Sequence, residues 1–136
     1  MELLALDHYT LAVEPDALPG LLAFYTRVLT LREGPRPDFD FPGHWLYASS
    51  SAVVHLAGTG GTGGKGDAAV PTGRLDHVSL RTRGLVAARA RLAAHGVAWH
   101  EAPVPGMPLH QVFLRDPAGL RIELTFDAAE VAGAGT

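Results

Sequence analysis

The hexapeptide LDHYTL at residues 6–11 returns as LDHVSL at residues 75–80. The two histidines inside it, His8 and His77, are 69 residues apart. Each copy is followed by a stretch with the apolar spacing of an amphipathic helix. A repeat of this length indicates that the chain consists of two copies of one supersecondary unit.

A second pair of segments supports the same division of the chain. Each half ends in an apolar stretch with one polar residue inside it, VVHL at 53–56 and RIEL at 121–124. The polar residues are His55 and Glu123, which are 68 residues apart. The repeat therefore places a coordinating or ionisable side chain at two matched positions in each half.

Periodicity predicts the same order of elements in both halves: a strand, a helix and three further strands. For the first half we predict strands at 5–13, 31–36, 44–48 and 52–57 and a helix at 18–29. For the second half we predict strands at 75–82, 97–101, 110–115 and 120–126 and a helix at 84–95. We therefore predict a single α+β domain with module one at 5–57, a flexible Gly-rich connection at 58–74, module two at 75–126 and a frayed tail at 127–136.

The composition excludes several classes of protein. Apolar residues make up 47% of the 136 residues, which is enough for a core, and the net charge of −3 with no basic stripe argues against a nucleic-acid partner. The absence of cysteine excludes disulfides and thiolate chemistry and leaves nitrogen and oxygen as metal ligands. We see no signal peptide and no apolar run of the ~20 residues that span a bilayer, so we expect a cytoplasmic protein with no membrane partner. The Ala-, Arg-, Gly- and Pro-rich composition is typical of a high-GC bacterial genome.

The predicted strands place the matched polar residues on faces opposite the apolar ones, because side chains alternate along a strand. His8, His77 and Glu123 would then lie near the middle of their strands. Such positions cost stability unless the side chains are hydrogen-bonded or coordinated. Two interpretations stay open from the repeat alone: these residues and His55 are structural, or they surround one metal ion.

The sequence resembles the vicinal-oxygen-chelate superfamily, which includes glyoxalase I, extradiol dioxygenases, methylmalonyl-CoA epimerase, and fosfomycin and bleomycin resistance proteins. The matching segments are LDH at 6–8, LAFYTRVL at 22–29, LDH at 75–77 and FLRDPAGLRIEL at 113–124. The resemblance implies an α+β fold of two βαβββ modules, which form curled mixed sheets around a metal cavity in a glyoxalase-like domain.

By the same resemblance, His8, His77 and Glu123 fall on the metal-ligand positions of the superfamily. His55 falls on the fourth position, where glyoxalase I enzymes usually carry Glu or Gln. The resemblance thus implies one divalent metal ion per chain, which would be Zn, Ni, Co, Mn or Fe(II). Its open positions could chelate two neighbouring oxygens of a substrate. We interpret His55 as a ligand, with a general base as the alternative, and predict His55 and Glu123 as the catalytic residues.

An aromatic residue precedes each of the last matched positions by ten residues. Trp45 precedes His55 and Phe113 precedes Glu123, so we interpret both rings as walls of a substrate cavity, with core packing as the alternative. The predicted substrate-binding residues are Trp45, Tyr47, Gln111 and Phe113. We interpret the histidines without a ligand-type partner in the repeat, His44, His100 and His110, as surface or structural residues.

The leading functional prediction is a metal-dependent glyoxalase-like enzyme, a lyase or isomerase that acts by proton transfer on a small-molecule substrate with vicinal oxygens. One alternative is an Fe(II) extradiol-type dioxygenase, although Phe113 stands where its acid Tyr is expected. Another is a resistance protein that binds a drug or metabolite without chemistry. Because many short relatives pair modules between chains, the resemblance also implies a homodimer with the metal site at the interface. We expect His8 and His55 from one chain to meet His77 and Glu123 from the other.

Overall fold

The structure is a computed structural model that describes residues 6–60 and 77–132. The chain divides into two compact units, Met1–Asp67 and Ala68–Thr136. These units contain module one and module two of the sequence repeat. None of the helices within the described ranges is long and apolar enough to cross a membrane.

Module one follows the predicted order of elements. Its strands and helix are β1 (Tyr9–Ala12), α1 (Leu18–Ala23), β2 (Arg32–Gly34), β3 (Gly43–Ala48) and β4 (Ser51–Ala57). A short 3-10 turn precedes α1, and a π-helical turn over Phe24–Val28 extends it. The sheet order is β1-β4-β3-β2, with β1 parallel to β4 and the other neighbours antiparallel.

Module two repeats this topology. Its elements are β5 (Val78–Arg81), α2 (Leu85–Ala94), β6 (Trp99–Pro103), β7 (Leu109–Arg115), β8 (Arg121–Asp127) and α3 (Ala129–Ala132). The sheet order is β5-β8-β7-β6, again with a single parallel pair, β5 with β8. The predicted fold class, two α+β modules of the βαβββ type with mixed sheets, is confirmed.

The register of the parallel pairs explains why the two repeat distances differ by one residue. Thr10 of β1 lies opposite His55 of β4, and Ser79 of β5 lies opposite Glu123 of β8. The first strands of the two modules are thus offset by 69 residues and the last strands by 68. Module one therefore has one residue more than module two between its first and last strands. His55 and Glu123 occupy equivalent places in the two sheets.

Alternation along the central strands separates an apolar face from a polar one in each module. In β3 and β4 the fully buried side chains are Leu46, Val54 and Leu56. Their counterparts in β7 and β8, Leu114, Ile122 and Leu124, are also buried, and so is Val112 of β7. The residues between them in sequence point to the other face, which is where the candidate site residues lie.

Two glycines with a positive φ mark the end of a helix and a tight turn in module two. α2 ends at Ala94, and Gly96 takes a positive φ of 64°, as is common just after a helix. The Asp116–Gly119 turn joins β7 to β8, with the Asp116 carboxylate accepting the backbone N–H of Leu120. Gly119 has a φ of 85° there, which favours glycine.

Several predicted boundaries need correction. His8 and His77 do not lie inside strands, because β1 and β5 each begin one residue later. The tail is not frayed at its start, since β8 runs to Asp127 and α3 follows it. The physical reason is that the Glu130 carboxylate accepts the backbone N–H groups that open α2. The remaining tail and residues 61–74 of the predicted connection lie outside the described residues.

Candidate metal half-sites

The candidate residues of module one form a stack of three rings. The His55 imidazole lies between His8, at 3.9 Å between ring centroids, and Trp45, at 4.1 Å with only 6° between the planes. The register produces this arrangement, because Trp45 of β3 is the cross-strand partner of His55 on β4. The predicted aromatic wall is therefore in direct contact with a candidate ligand.

The Nε2 atom of His55 is buried and has no hydrogen-bond partner among the described residues. Burial lowers the pKa of His55, and the neighbouring His8 lowers it further, against a backbone hydrogen bond to Ala52 and the charge of Asp7, which raise it. The ring is therefore biased towards its neutral form. A neutral imidazole with an unpaired nitrogen is the form that binds a metal ion.

His8 is oriented by its neighbour in sequence. Its Nδ1 atom lies 2.7 Å from a carboxylate oxygen of Asp7. A carboxylate on one ring nitrogen is the usual support of a metal-binding histidine, because it selects the tautomer and leaves the other nitrogen for the metal. Asp7 was not a sequence-predicted site residue, although its repetition next to His77 was visible in LDH.

In module two the central group is the Glu123 carboxylate, whose side chain is only 8% exposed. The hydroxyls of Ser79 and Thr125 both donate to its Oε1 atom at 2.7 Å. Burial by itself would raise the pKa of Glu123, but these hydrogen bonds, another from Gln111 and the charge of His77 together hold it below the usual value. The carboxylate is therefore ionised at neutral pH.

The second oxygen of this carboxylate faces a histidine. Oε2 of Glu123 lies 3.4 Å from Nε2 of His77. Metal bonds of about 2.1 Å bring two neighbouring ligand atoms to roughly 3.0–3.4 Å from each other. The spacing of this pair therefore fits two ligands of the same ion.

Phe113 occupies the place in module two that Trp45 has in module one, opposite Glu123 on the next strand. Its ring meets His77 edge to face at 6.3 Å. The imidazole of His100 stacks on it at 4.8 Å, and the Arg121 guanidinium carbon lies 4.6 Å from its centroid.

The structure brings the predicted residues together in two groups. His8, His55 and Trp45 meet in module one, and His77, Glu123, Gln111 and Phe113 meet in module two. Tyr47 joins neither ring stack, because its hydroxyl donates to the carbonyl of Pro35 at 2.7 Å. Sequence reasoning missed the supporting roles of Asp7, Ser79, Thr125, His100 and Arg121. Strand alternation is a signal that could have found Ser79, Thr125 and Arg121, which share the face of Glu123, whereas nothing local pointed to His100.

In module two, the spacing of His77 Nε2 and Glu123 Oε2 fits a divalent metal ion. No group of three or more His, Asp or Glu side chains in residues 6–60 and 77–132 is arranged as a metal site. The candidates occur instead as one pair of residues in each module, the stacked rings of His8 and His55 in module one and His77 with Glu123 in module two. Neutral imidazoles and one carboxylate suit zinc, nickel, cobalt, manganese and ferrous iron alike.

Two solved structures are particularly similar to this chain. A putative glyoxalase family protein from Bacillus anthracis matches with a TM-score of 0.72 and 18% identity, over 93% of this chain and 98% of that one. A glyoxylase/bleomycin resistance protein/dioxygenase domain from Frankia sp. EAN1pec matches with a TM-score of 0.71 and 23% identity, over 93% of both chains. This chain has the vicinal-oxygen-chelate fold. The resemblance inferred from the sequence is thus confirmed for the fold.

A third protein with the vicinal-oxygen-chelate fold contains a metal. It is a mutant of the fosfomycin resistance protein FosX from Listeria monocytogenes, complexed with Mn(II) and a dihydroxypropylphosphonic acid. It matches with a TM-score of 0.67 and 16% identity, over 93% of this chain and 94% of that one. No protein-family model matches the sequence, and no curated protein sequence matches it.

Proposed function

We propose that this protein is a metal-dependent enzyme of the glyoxalase type, a lyase or isomerase acting on a small substrate with vicinal oxygens. The proposed ligands of one divalent metal ion are His8, His55, His77 and Glu123. The observation that carries the proposal is the 3.4 Å distance between His77 Nε2 and Glu123 Oε2. Three hydrogen bonds to the Glu123 carboxylate keep it ionised. The unpartnered Nε2 of His55 supports it from module one.

The side chains around the proposed metal ion would have different roles. Glu123 supplies the one negative charge of the set, and Ser79 and Thr125 hold its orientation through Oε1. His55 stays neutral between two rings and contributes a nitrogen without charge. Such a site keeps a net positive charge, which favours a chelating anion such as an enediolate. The metal, when bound, would polarise the substrate oxygens and acidify the neighbouring C–H group.

Metal content tests the ligand set. Purified protein is expected to hold about one divalent ion per chain by mass spectrometry of the metals, and His8→Ala, His77→Ala and Glu123→Ala should each lose most of it. His95→Ala is the matched control, because His95 is exposed at the end of α2. Full occupancy in all three ligand variants would exclude the site.

A separate experiment tests whether the proposed metal ion can be chelated by two neighbouring oxygens. Acetohydroxamate is the probe, because it presents two such oxygens. It is expected to bind the metal-loaded protein and not the metal-free protein in a calorimetric titration. Equal binding to both forms would contradict a metal with two adjacent open positions.

His55 distinguishes a ligand from a general base. We expect His55→Gln to keep part of the metal and part of any activity, because an amide oxygen can still coordinate. A variant that binds metal as tightly as the wild type and yet has no turnover would assign His55 the base role instead.

We also propose that the protein is a homodimer, with His8 and His55 of one chain serving the same metal as His77 and Glu123 of the other. Sedimentation at micromolar concentration should then give a dimer. A monomer that still holds its metal would contradict this arrangement.

A further inference from the structure

The nitrogen atom of His55 that is suited to bind a metal ion is not accessible in the stacked arrangement of module one. Nε2 of His55 is buried, and its ring lies between the rings of His8 and Trp45, at 3.9 and 4.1 Å between centroids. A metal bond of about 2.1 Å requires a path along which the ion reaches this nitrogen. One of the groups around His55 therefore has to move before an ion can bind there.

The relative orientation of His8 and His55 is a second reason for such a movement. Their ring planes are inclined by only 23°. The lone pair of an imidazole nitrogen lies in the plane of its ring, so two ligands of one ion need planes that meet about 2.1 Å from each nitrogen. Planes that are stacked and nearly parallel do not meet so close to the rings. The pair therefore does not fit one ion in this arrangement, although each imidazole by itself is a suitable ligand.

The sheet holds His55 and Trp45 in place. His55 of β4 pairs with Thr10 of β1 on one side and with Trp45 of β3 on the other. β4 and β3 are the two central strands of the sheet, whose order is β1-β4-β3-β2. A displacement of either backbone would break hydrogen bonds of the ladders on both sides. Neither residue is therefore suited to open the stack.

His8 is the member of the stack that can move without disturbing the sheet. It precedes β1, which begins at Tyr9, and its side chain is 38% exposed. The Asp7 carboxylate that orients it is 93% exposed and belongs to the adjacent residue, so the two side chains can turn together. A change of the side-chain torsions of His8 would uncover His55 and also turn the His8 ring out of the parallel orientation.

We propose that His8 covers the metal-binding nitrogen of His55 and leaves the ring stack when a divalent ion binds. His8 thus has two roles in module one, as a cover of His55 and, once turned, as a ligand. The ion binds to the fraction of molecules in which His8 has turned away, so the ring contact lowers the apparent affinity for metal. This inference rests on the proposed function for the ligand role, whereas the covering of His55 is a property of module one alone.

Chemical modification of His55 tests the cover without any metal. Diethyl pyrocarbonate attacks the unprotonated nitrogen of accessible imidazoles, and mass spectrometry of peptides from the full-length protein gives the rate at His55. His8→Ala removes the covering ring and His8→Phe keeps a ring, while both variants lack the His8 nitrogen. His55 should react about fivefold faster or more in His8→Ala than in the wild type, because a ring contact favours the covered form. In His8→Phe it should react at about the wild-type rate.

The release of His8 is measured on the wild-type protein by nuclear magnetic resonance, with zinc as a diamagnetic probe. Without zinc, ring protons of His8 and His55 should show a nuclear Overhauser effect, because the ring centroids are 3.9 Å apart. Saturation with zinc should remove this effect and keep the one between His55 and Trp45, whose centroids are 4.1 Å apart. Because no substitution is involved, this measurement stays decisive if one of the His8 variants does not fold.

Two results would overturn the inference: equal modification rates of His55 in His8→Ala and His8→Phe, or an unchanged effect between His8 and His55 in the zinc-loaded protein. The zinc content of the wild type separates these results from the proposed function. Bound zinc with His8 still stacked on His55 contradicts the inference and leaves the proposed metal site supported. Absence of zinc binding contradicts both the proposed function and the release of His8, while the modification rates still decide whether His8 covers His55.

Discussion

The two modules share a backbone plan and differ in what their polar faces can do. In module one, His55 is held between two rings and keeps a buried nitrogen without a partner. In module two the equivalent position is a carboxylate, Glu123, whose Oε1 accepts two hydroxyl hydrogen bonds. The comparison teaches that a repeated backbone keeps the positions in the sheet, while the side chains at those positions differ: a neutral imidazole in one module and an anionic carboxylate in the other.

The opposite face of each sheet carries a glutamate–histidine pair, and the two pairs differ in burial and in hydrogen bonding. Glu33 and His44 of module one are 2.6 Å apart, but the glutamate side chain is half exposed. Glu101 of module two is largely buried and accepts hydrogen bonds from Arg89, Trp99 and His110. Module two therefore has a largely buried polar network around its glutamate, where the glutamate of module one forms a half-exposed ion pair.

The largest expected effect tests how alike the two apolar faces are. Leu46 in module one and Leu114 in module two are equivalent by the repeat, and both are buried. Leu46→Ala and Leu114→Ala should each lower the free energy of unfolding by about 3 kcal/mol, because each leaves a cavity. Urea unfolding followed by circular dichroism measures both. A loss below about 1 kcal/mol in one variant would show that one module packs its leucine loosely.

The next effect separates the two glutamate–histidine pairs. The Arg89 hydrogen bonds, more than those of His110 and Trp99, lower the pKa of Glu101 from 4.5 to about 2, against the effect of burial. A shift of that size corresponds to about 3 kcal/mol of stability at neutral pH. Glu101→Gln should lose about 2 kcal/mol, since the amide keeps part of the hydrogen bonding. Glu33→Gln should change stability by less than about 0.5 kcal/mol, because its pair is exposed.

The lowered pKa of Glu101 also predicts the direction in which the stability of the protein changes with pH. A lowered pKa means that the unfolded state binds more protons, so the stabilisation by Glu101 is complete above pH 4.5 and is lost as the pH falls towards about 2. Urea unfolding at pH 7, 4 and 3 should show a shallower acid loss in Glu101→Gln than in the wild type. Parallel curves for the two proteins would mean that Glu101 does not contribute to acid unfolding.

The smallest expected effect concerns the helices. Glu130 of α3 accepts the backbone N–H groups of Gly84 and Leu85 at the start of α2. Glu130→Ala should cost about 1 kcal/mol and speed amide exchange at Leu85. Glu130→Gln keeps an acceptor oxygen and should cost less. An alanine variant as stable as the wild type would show that α3 adds nothing to α2.

Part of the candidate site could be predicted from the sequence, because the residues that indicate it are repeated or lie close together in the chain. Parity along the strands put Glu123 on the polar face, and the ten-residue spacing put Phe113 beside it. The ends of the helices and strands could not be predicted in this way, because the side chain that caps a helix can come from a distant part of the chain. Glu130 is such a case, since it lies 45 residues from Leu85.

The sequence by itself determined the two-module plan and the matched positions of His55 and Glu123, because strand alternation has a period of two and the repeat is carried by neighbouring residues. Only the tertiary structure decided which side chains meet across strands. The pairing of β6 with β7 brings His100 onto Phe113, and the network around Glu101 needs α2 to reach β6 through Arg89. These contacts depend on sheet register and helix placement, which are set by packing of the whole module and leave no trace in local periodicity.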